Sequence, residues 1–429
     1  MDFFMLCLFT FLLFLRPMDF VAGLDGLQLL DVTGLAAFLF ISHRVQRGPH
    51  NLLIIGFLSC GLLSHAVRGY FLGCQQTFIF FAKIAVLYLA VANAVNSQDR
   101  LKGYLTFLCV LCAILAVNSL GQLNHGVSYF GGVEPLKVPI LNDYSEPTGK
   151  FDLRIRGVGI FNDPNDLGQM LVLGLIMAYG FITTSSSLLS RVTYFSFLPI
   201  FTLGIYHTNS RGTLLALAAA IGYYALRNTR NLFPKVFGII SIVLLFLFGP
   251  SRAGAMTPGS STDRLELWSS AITLFKGHPL FGVGVGMFQD VTGGIMTAHQ
   301  SYLLVLSEMG LFGYFFWFGM IFLFFHTVSN VRRILDVESP EEKKLLAVLK
   351  IVEAAVFGFL VSAYFLSRSY QFPLFVFLGL GPAFAVITKR VYPDYRMYWG
   401  TQEWCRLGLC TMGSTLFLYL ATKVLWNVT

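Results

Sequence analysis

The sequence predicts an all-α fold, a polytopic transmembrane helical bundle of about 12 spans, with a large outer loop that carries amphipathic helices. Three observations predict it. Only 12% of the 429 residues are charged, against about 25% in a soluble globular domain. Hydrophobic residues make up 55% of the chain, with a mean hydropathy of +0.68. The apolar stretches run near-continuously for about 16–25 residues. So little charge cannot coat a soluble surface of this size, which excludes a secreted enzyme, a cytosolic enzyme and a disordered chain. A β-barrel would alternate in strands of about ten residues, and the 43 phenylalanines suit lipid-facing helices better.

The apolar segments fall near 3–21, 27–42, 51–68, 76–95, 101–120, 166–184, 192–207, 212–227, 233–249, 300–327, 348–368, 372–390 and 408–426. The first two and the last are weakest, because Arg16, Pro17, Asp31 and Lys423 interrupt or flank them. No basic region precedes the first run and no cleavage site follows it, so it reads as a transmembrane helix and not as a removed signal. Two long connections remain, 121–165 and 250–299. With no repeat and no linker, residues 1–429 form a single integral membrane domain.

The formal net charge is +8. In a membrane chain this first sets topology, because inner loops collect Lys and Arg. Short connections holding Arg44, Arg100, Arg191, Arg230, Arg333 and Lys389 fit an inner side, which puts both long connections outside. The outer side then receives Arg68, Arg154, Arg156, Arg211, Arg252, Arg264 and Arg368, against the bias. Arginine's planar fork suits phosphate oxygens, so the group points to an anionic headgroup substrate and not to nucleic acid. Ordinary surface charge is the alternative for any one of them.

Four stretches could carry chemistry. Arg154-Ile155-Arg156 leads through Gly157 to Asp163-Pro164, which reads as a capped helix start with Asp163 as cap. Two arginines beside a helix N-terminus make a phosphate cradle, or a capped entry with solvated side chains. His207-Thr208-Asn209-Ser210-Arg211-Gly212 is a tight outer turn that holds Arg211 at the bilayer edge, as a ligand or as a snorkelling cation. In the 250–299 connection, Asp263 and Glu266 have capping-box spacing, with Asp263 as cap. Leu265, Trp268, Ile272 and Phe275 then form one apolar helix face, for the membrane surface or for the bundle. The following Gly282-Val283-Gly284-Val285-Gly286 follows no strand, so it reads as a turn that lets backbone approach a lipid or another helix. Finally, His299 opens the next span. A helix N-terminus there favours neutral imidazole, which suits a general base; a structural histidine is the alternative. Glu308, on another face of that helix, reads as a buried partner or packing acid.

Cys109 and Cys112 lie at helical spacing in one apolar run and read as packing residues, since no second ligand pair exists. No cluster has metal-ligand spacing, so the metal reading is none and no cofactor is called for.

Four blocks, in order, resemble the O-antigen ligase and O-antigen polymerase superfamily of bacterial inner-membrane glycosyltransferases, most like the ligases. They are RIRGVGIFNDPNDLG (154–168), NSRG (209–212), DRLELWSSAITLFKGHPLFGVGVGMF (263–288) and AHQSYLLVLSEMGLFG (298–313). The resemblance covers about residues 150–315; the flanking helices match only in hydropathy. It implies inverting, metal-independent glycosyl transfer at the periplasmic face of the inner membrane. The donor would be a glycan on undecaprenyl pyrophosphate and the acceptor a sugar hydroxyl of lipid A–core, among membrane lipids. His299 would be the base, and Arg211 and Arg264 would hold the pyrophosphate, with Arg154 and Arg156 as weaker additions. The connections 121–165 and 250–299 would be periplasmic, the second lying over the active site. Gln300 departs from the family, where Asn is common. A polymerase or exopolysaccharide enzyme acting on lipid-linked repeat units stays open. So does a non-enzymatic transporter of lipid-linked glycans, which Lys83 at mid-span favours and the lack of repeated halves disfavours.

Overall fold

The computed structural model describes residues 1–24, 27–42, 48–141, 147–228, 260–294, 296–335 and 339–428. The expected span 233–249 and Arg252 lie outside these residues. The described residues form fourteen α-helices and one two-stranded antiparallel hairpin, an all-α architecture. Eight of the helices are long and apolar enough to cross a membrane.

The chain divides into two compact units. The first comprises Met1–Ala36, Ser97–Pro258 and Arg332–Ser362. Its helices are α1 (Asp2–Leu15), α5 (Gln98–His125), α6 (Pro164–Thr184), α7 (Leu188–Thr208) and α8 (Arg211–Asn228), with most of α12 (Pro340–Ala363). The hairpin β1 (Leu136–Leu141) and β2 (Pro147–Arg154) rises within the connection 121–165. The second unit comprises Ala37–Asn96, Gly259–Val331 and Ala363–Thr429. It holds α3 (Pro49–Ala66), α4 (Phe71–Ala94), α9 (Ser260–Gly277), α10 (Phe288–Thr292), most of α11 (Ser301–Ile334), α13 (Phe372–Val391) and α14 (Thr401–Val428). The remaining helix, α2 (Leu29–Ser42), is shared by the two stretches of chain.

In the first unit α6 is the central element. Gly168, Gly174 and Gly180 on it lie against Thr213, Cys112 and Ile351, where a Cβ would overlap its neighbour. Small residues of this kind let membrane helices approach closely. The thiols of Cys109 and Cys112 point at the α6 carbonyls of Gly174 and Met170, so this pair packs two helices together. Gln169 donates to the Phe359 carbonyl and to Ser362 Oγ on α12. In the second unit α13 is the interior helix, with 89% of its apolar window buried; α14 buries only 22% of its own. Phe57 of α3 stacks on Phe81 of α4 at 4.4 Å and lies 5.5 Å from Phe375 of α13.

Three of the boundaries that differ from the sequence expectation have a local reason. The first span was expected over 3–21, but α1 ends at Leu15: Arg16 is left-handed (φ 48°) and Pro17 opens a short 3-10 turn. Proline has no N–H with which to continue the ladder. The span expected over 348–368 begins at Pro340, because Ser339 and Glu342 cap each other's backbone at 3.1 and 3.3 Å. The helix expected to start with Asp263 as its cap begins at Ser260. Nothing in Ser260-Ser261-Thr262 forbids helical geometry, and Ser and Thr are well tolerated in a first turn.

Candidate active site

In the first unit, three elements converge on the turn before α8. Asn209 ends α7 in the left-handed conformation (φ 50°), which Asn adopts more readily than most residues. Ser210 caps α8, its Oγ accepting from the Thr213 N–H at 3.2 Å while donating to Asn165 Oδ1 at 2.6 Å. That bond ties the turn to the start of α6, where Asp163 caps as expected, accepting from the Asn165 N–H at 2.8 Å with Pro164 in the first position. The hairpin arrives from the other side. Asp152 on β2 is buried, and its Oδ2 accepts from Asn209 Nδ2 at 2.5 Å and from Arg154 Nε at 3.0 Å. The Ile155 N–H donates to the His207 carbonyl at 3.1 Å.

The three candidate arginines of this unit, Arg154, Arg156 and Arg211, therefore differ. Arg154 is ion-paired with a buried carboxylate. The Arg156 Nε donates to the Glu134 carbonyl at 2.8 Å, and its backbone bonds to both ends of the Gln122 amide. Arg211 is the first residue of α8, exposed, with no hydrogen-bond or ion-pair partner among the described residues. A helix N-terminus adds partial positive charge beside it. Arg211 is thus the guanidinium of the three best placed to receive an anion.

In the second unit, His299 is half-buried and left-handed (φ 48°). That conformation costs a residue of this kind about 1–3 kcal/mol and must be held by its surroundings. Here it is held on both sides. Thr297 Oγ1 donates to Ser367 Oγ at 2.7 Å. Ser301 Oγ donates to the Leu366 carbonyl at 2.6 Å and accepts from the Arg368 N–H at 2.7 Å; Ser369 Oγ donates to the Ser301 carbonyl at 2.8 Å. Residues 366–369 are thereby zipped onto 297–301. Gln300 caps α11, its Oε1 accepting from the Leu303 N–H at 2.5 Å.

The glycine-rich turn wraps α11 where that helix breaks. Gly310 has φ 64° and ψ −167° inside the α11 span. The backbone groups freed there are met by the turn: Leu311 N–H donates to the Pro279 carbonyl at 2.8 Å, Val283 N–H to Ser307 at 2.9 Å and Gly284 N–H to Glu308 at 2.9 Å. Gly282, Gly284 and Gly286 all have positive φ, and a Cβ at Gly282 would overlap the Glu308 carbonyl. The resulting concavity of N–H groups is occupied by one of the protein's own carboxyl groups. The carboxylate of buried Glu308 accepts from the Gly286 and Phe288 N–H groups and from the Tyr370 hydroxyl at 3.0 Å. Burial, then the neighbouring Glu308, pushes the Tyr370 phenol well above its ordinary value, so it stays a donor. Arg68 closes the turn from outside, with Nε and a terminal nitrogen donating to the Gly282 carbonyl at 3.1 and 3.0 Å. Burial, and then Arg68, pushes His278 below its ordinary value.

Arg264 is exposed on α9. The apolar face expected on that helix is present: Trp268 and Ile272 are buried, and Trp268 meets the Tyr364 ring edge-on at 5.8 Å. Lys276 lies over the Tyr419 ring of α14 at 4.8 Å.

Sequence reading singled out Arg211, Arg264 and His299 as candidates but did not name the groups that hold the turn before α8 and the segment around His299. Asp152, Asn165 and the serines at 301, 367 and 369 carry no local signature of partnership. The alternating glycines did signal a backbone approach to another element, and that element is α11.

A family model described as O-Antigen ligase matches residues 195–318. No curated protein matches the chain. The matched stretch contains Arg211, Arg264 and His299, whereas Arg154 and Arg156 precede it. NSRG, the block around α9 and the block that opens α11 all lie inside residues 195–318, the stretch over which this multi-pass helical chain is similar to the O-antigen ligase family.

Proposed function

We propose that the chain is an O-antigen ligase. It transfers a glycan en bloc from undecaprenyl pyrophosphate to a sugar hydroxyl of lipid A–core, at the periplasmic face of the bacterial inner membrane. His299 accepts the proton of the acceptor hydroxyl as its oxygen bonds to the anomeric carbon from the face opposite the pyrophosphate. The bond from that carbon to the pyrophosphate oxygen breaks, and the configuration inverts. Arg211 and Arg264 stabilise the departing pyrophosphate, with Arg154 and Arg156 as weaker contributors. Because pyrophosphate leaves readily, one base and charge stabilisation suffice, without a metal. The connection 250–299 covers the site.

One observation carries this reading: a single stretch matched to the O-antigen ligase family holds Arg211, Arg264 and His299. Two features of that stretch support it, namely an exposed arginine at a helix N-terminus and a histidine held in a costly backbone conformation. The test uses purified protein in lipid vesicles with a polyprenyl-pyrophosphate glycan and lipid A–core. Glycan appearing intact on the core supports the ligase. A ladder of lengthened lipid-linked repeats would instead identify a polymerase, and transfer by His299→Ala at the full rate would remove His299 as the base.

A further inference from the structure

We infer that Glu308 is a positioning residue for His299, acting through Tyr370 and the glycine-rich turn; the inference rests on His299 being the base. The two stretches of chain that flank His299 both lead back to this carboxylate. On the near side, the turn that runs on toward His299 is fastened by backbone at Val283 to the Ser307 carbonyl and at Gly284 to the Glu308 carbonyl. It is fastened again by the Gly286 and Phe288 N–H groups on the carboxylate itself. On the far side, residues 366–369 grip Thr297 and Ser301, and the next residue, Tyr370, donates its hydroxyl to Glu308 at 3.0 Å. The Tyr370 ring also lies against the stacked Phe57 and Phe81 pair, at 6.3 and 5.3 Å from the two rings. The hydroxyl is therefore its adjustable end and the ring its fixed one.

This arrangement explains why a buried acid stands nine residues beyond a histidine that it does not share a helix face with. The acid is the common anchor of the glycine-rich turn and, through Tyr370, of the 366–369 segment that grips the residues on either side of His299. A hydrophobic residue at 308 would leave two backbone N–H groups and a phenol without an acceptor, and both segments would lose their shared fixed point.

The experiment measures two properties of purified full-length protein in detergent: steady-state transfer, and the rate at which diethyl pyrocarbonate carbethoxylates His299, followed by mass spectrometry with exposed His125 as internal control. The variants are Tyr370→Phe, which removes one hydroxyl, and Glu308→Gln. The expected result is a kcat lower by roughly tenfold or more, with the donor KM little changed, and a His299 modification rate shifted by about threefold or more against an unchanged His125. Tyr370→Phe keeps the proposal testable if Glu308→Gln does not fold. An unaltered His299 rate in a folded Tyr370→Phe protein would overturn the inference. A shifted His299 rate with undiminished transfer would uphold the anchor and overturn the base reading on which its catalytic meaning depends.

Discussion

Arg211 and Arg154 both lie near the turn before α8 but should respond differently to removal. Arg211 is exposed and has no described partner, so Arg211→Ala leaves no group behind it unsatisfied. If it holds a phosphate oxygen, the loss is one charge-assisted hydrogen bond, about 1.5–3 kcal/mol. That corresponds to a donor affinity lower by about 10- to 150-fold. Arg154 is already neutralised by Asp152 at 3.0 Å, and the carboxylate side chain is 5% exposed. Arg154→Ala should weaken donor binding by less than about threefold. It should instead lower stability by about 1–3 kcal/mol, because buried Asp152 loses its ion-pair partner while keeping the Asn209 amide. Binding of a polyprenyl-pyrophosphate glycan to protein in nanodiscs, by titration calorimetry, reads the first quantity. Unfolding followed by tryptophan fluorescence reads the second. If Arg154→Ala weakened binding as strongly as Arg211→Ala and left stability untouched, the assignment of a supporting role to Arg154 would fail.

Other outcomes follow from the same geometry. Glu353 is 1% exposed and receives the Tyr223 hydroxyl at 2.7 Å, with Arg227 and Arg332 each at 3.1 Å. Glu353→Ala should cost about 3–5 kcal/mol in a denaturation assay, whereas Arg227→Ala, whose side chain is 41% exposed, should cost under about 1 kcal/mol. Gly282→Ala combines φ 70° with an overlap against the Glu308 backbone, and should lower both folding yield and transfer by a loss of more than about 2 kcal/mol. Ser301→Ala removes an acceptor and a donor that grip residues 366–368; a kcat that stayed at the wild-type value would argue against that grip. Adding a chelator should leave transfer unchanged, and its loss would reveal a metal requirement.

What the sequence made legible follows the range of the physics involved. The apolar runs announced α4, α5, α6 and α13 because lipid demands a continuous apolar length and a self-satisfied backbone. Asp163-Pro164 and the Trp268/Ile272 face were legible because a cap and a helix face are local patterns. Local rules failed where two were in competition: the acidic run at 336–344 looks like a loop by charge, yet Ser339 and Glu342 turn it into a helix start. The hairpin at 136–154 was illegible, since β2 is secured by Asp152 to Asn209, a partner 57 positions away. The same holds for Glu308, read as a buried acid with an unnamed partner. Its donors come from residues 286, 288 and 370, and no spacing rule joins them.

The break at Gly310 also settles a question of length. An unbroken helix from Ser301 to Ile334 has 34 residues and would be about 51 Å long, well beyond a hydrocarbon core of about 30 Å. The break divides it into a leading piece of about 14 Å and a trailing piece of about 36 Å, and the trailing piece alone is enough to cross. The leading piece, with His299 just before it, is thereby released from spanning duty. It can lie within the hydrocarbon depth at its own angle instead of standing clear of it. Bare backbone at that depth would ordinarily be forbidden, but Pro279, Val283 and Gly284 supply the missing partners, so the break is chemically sealed.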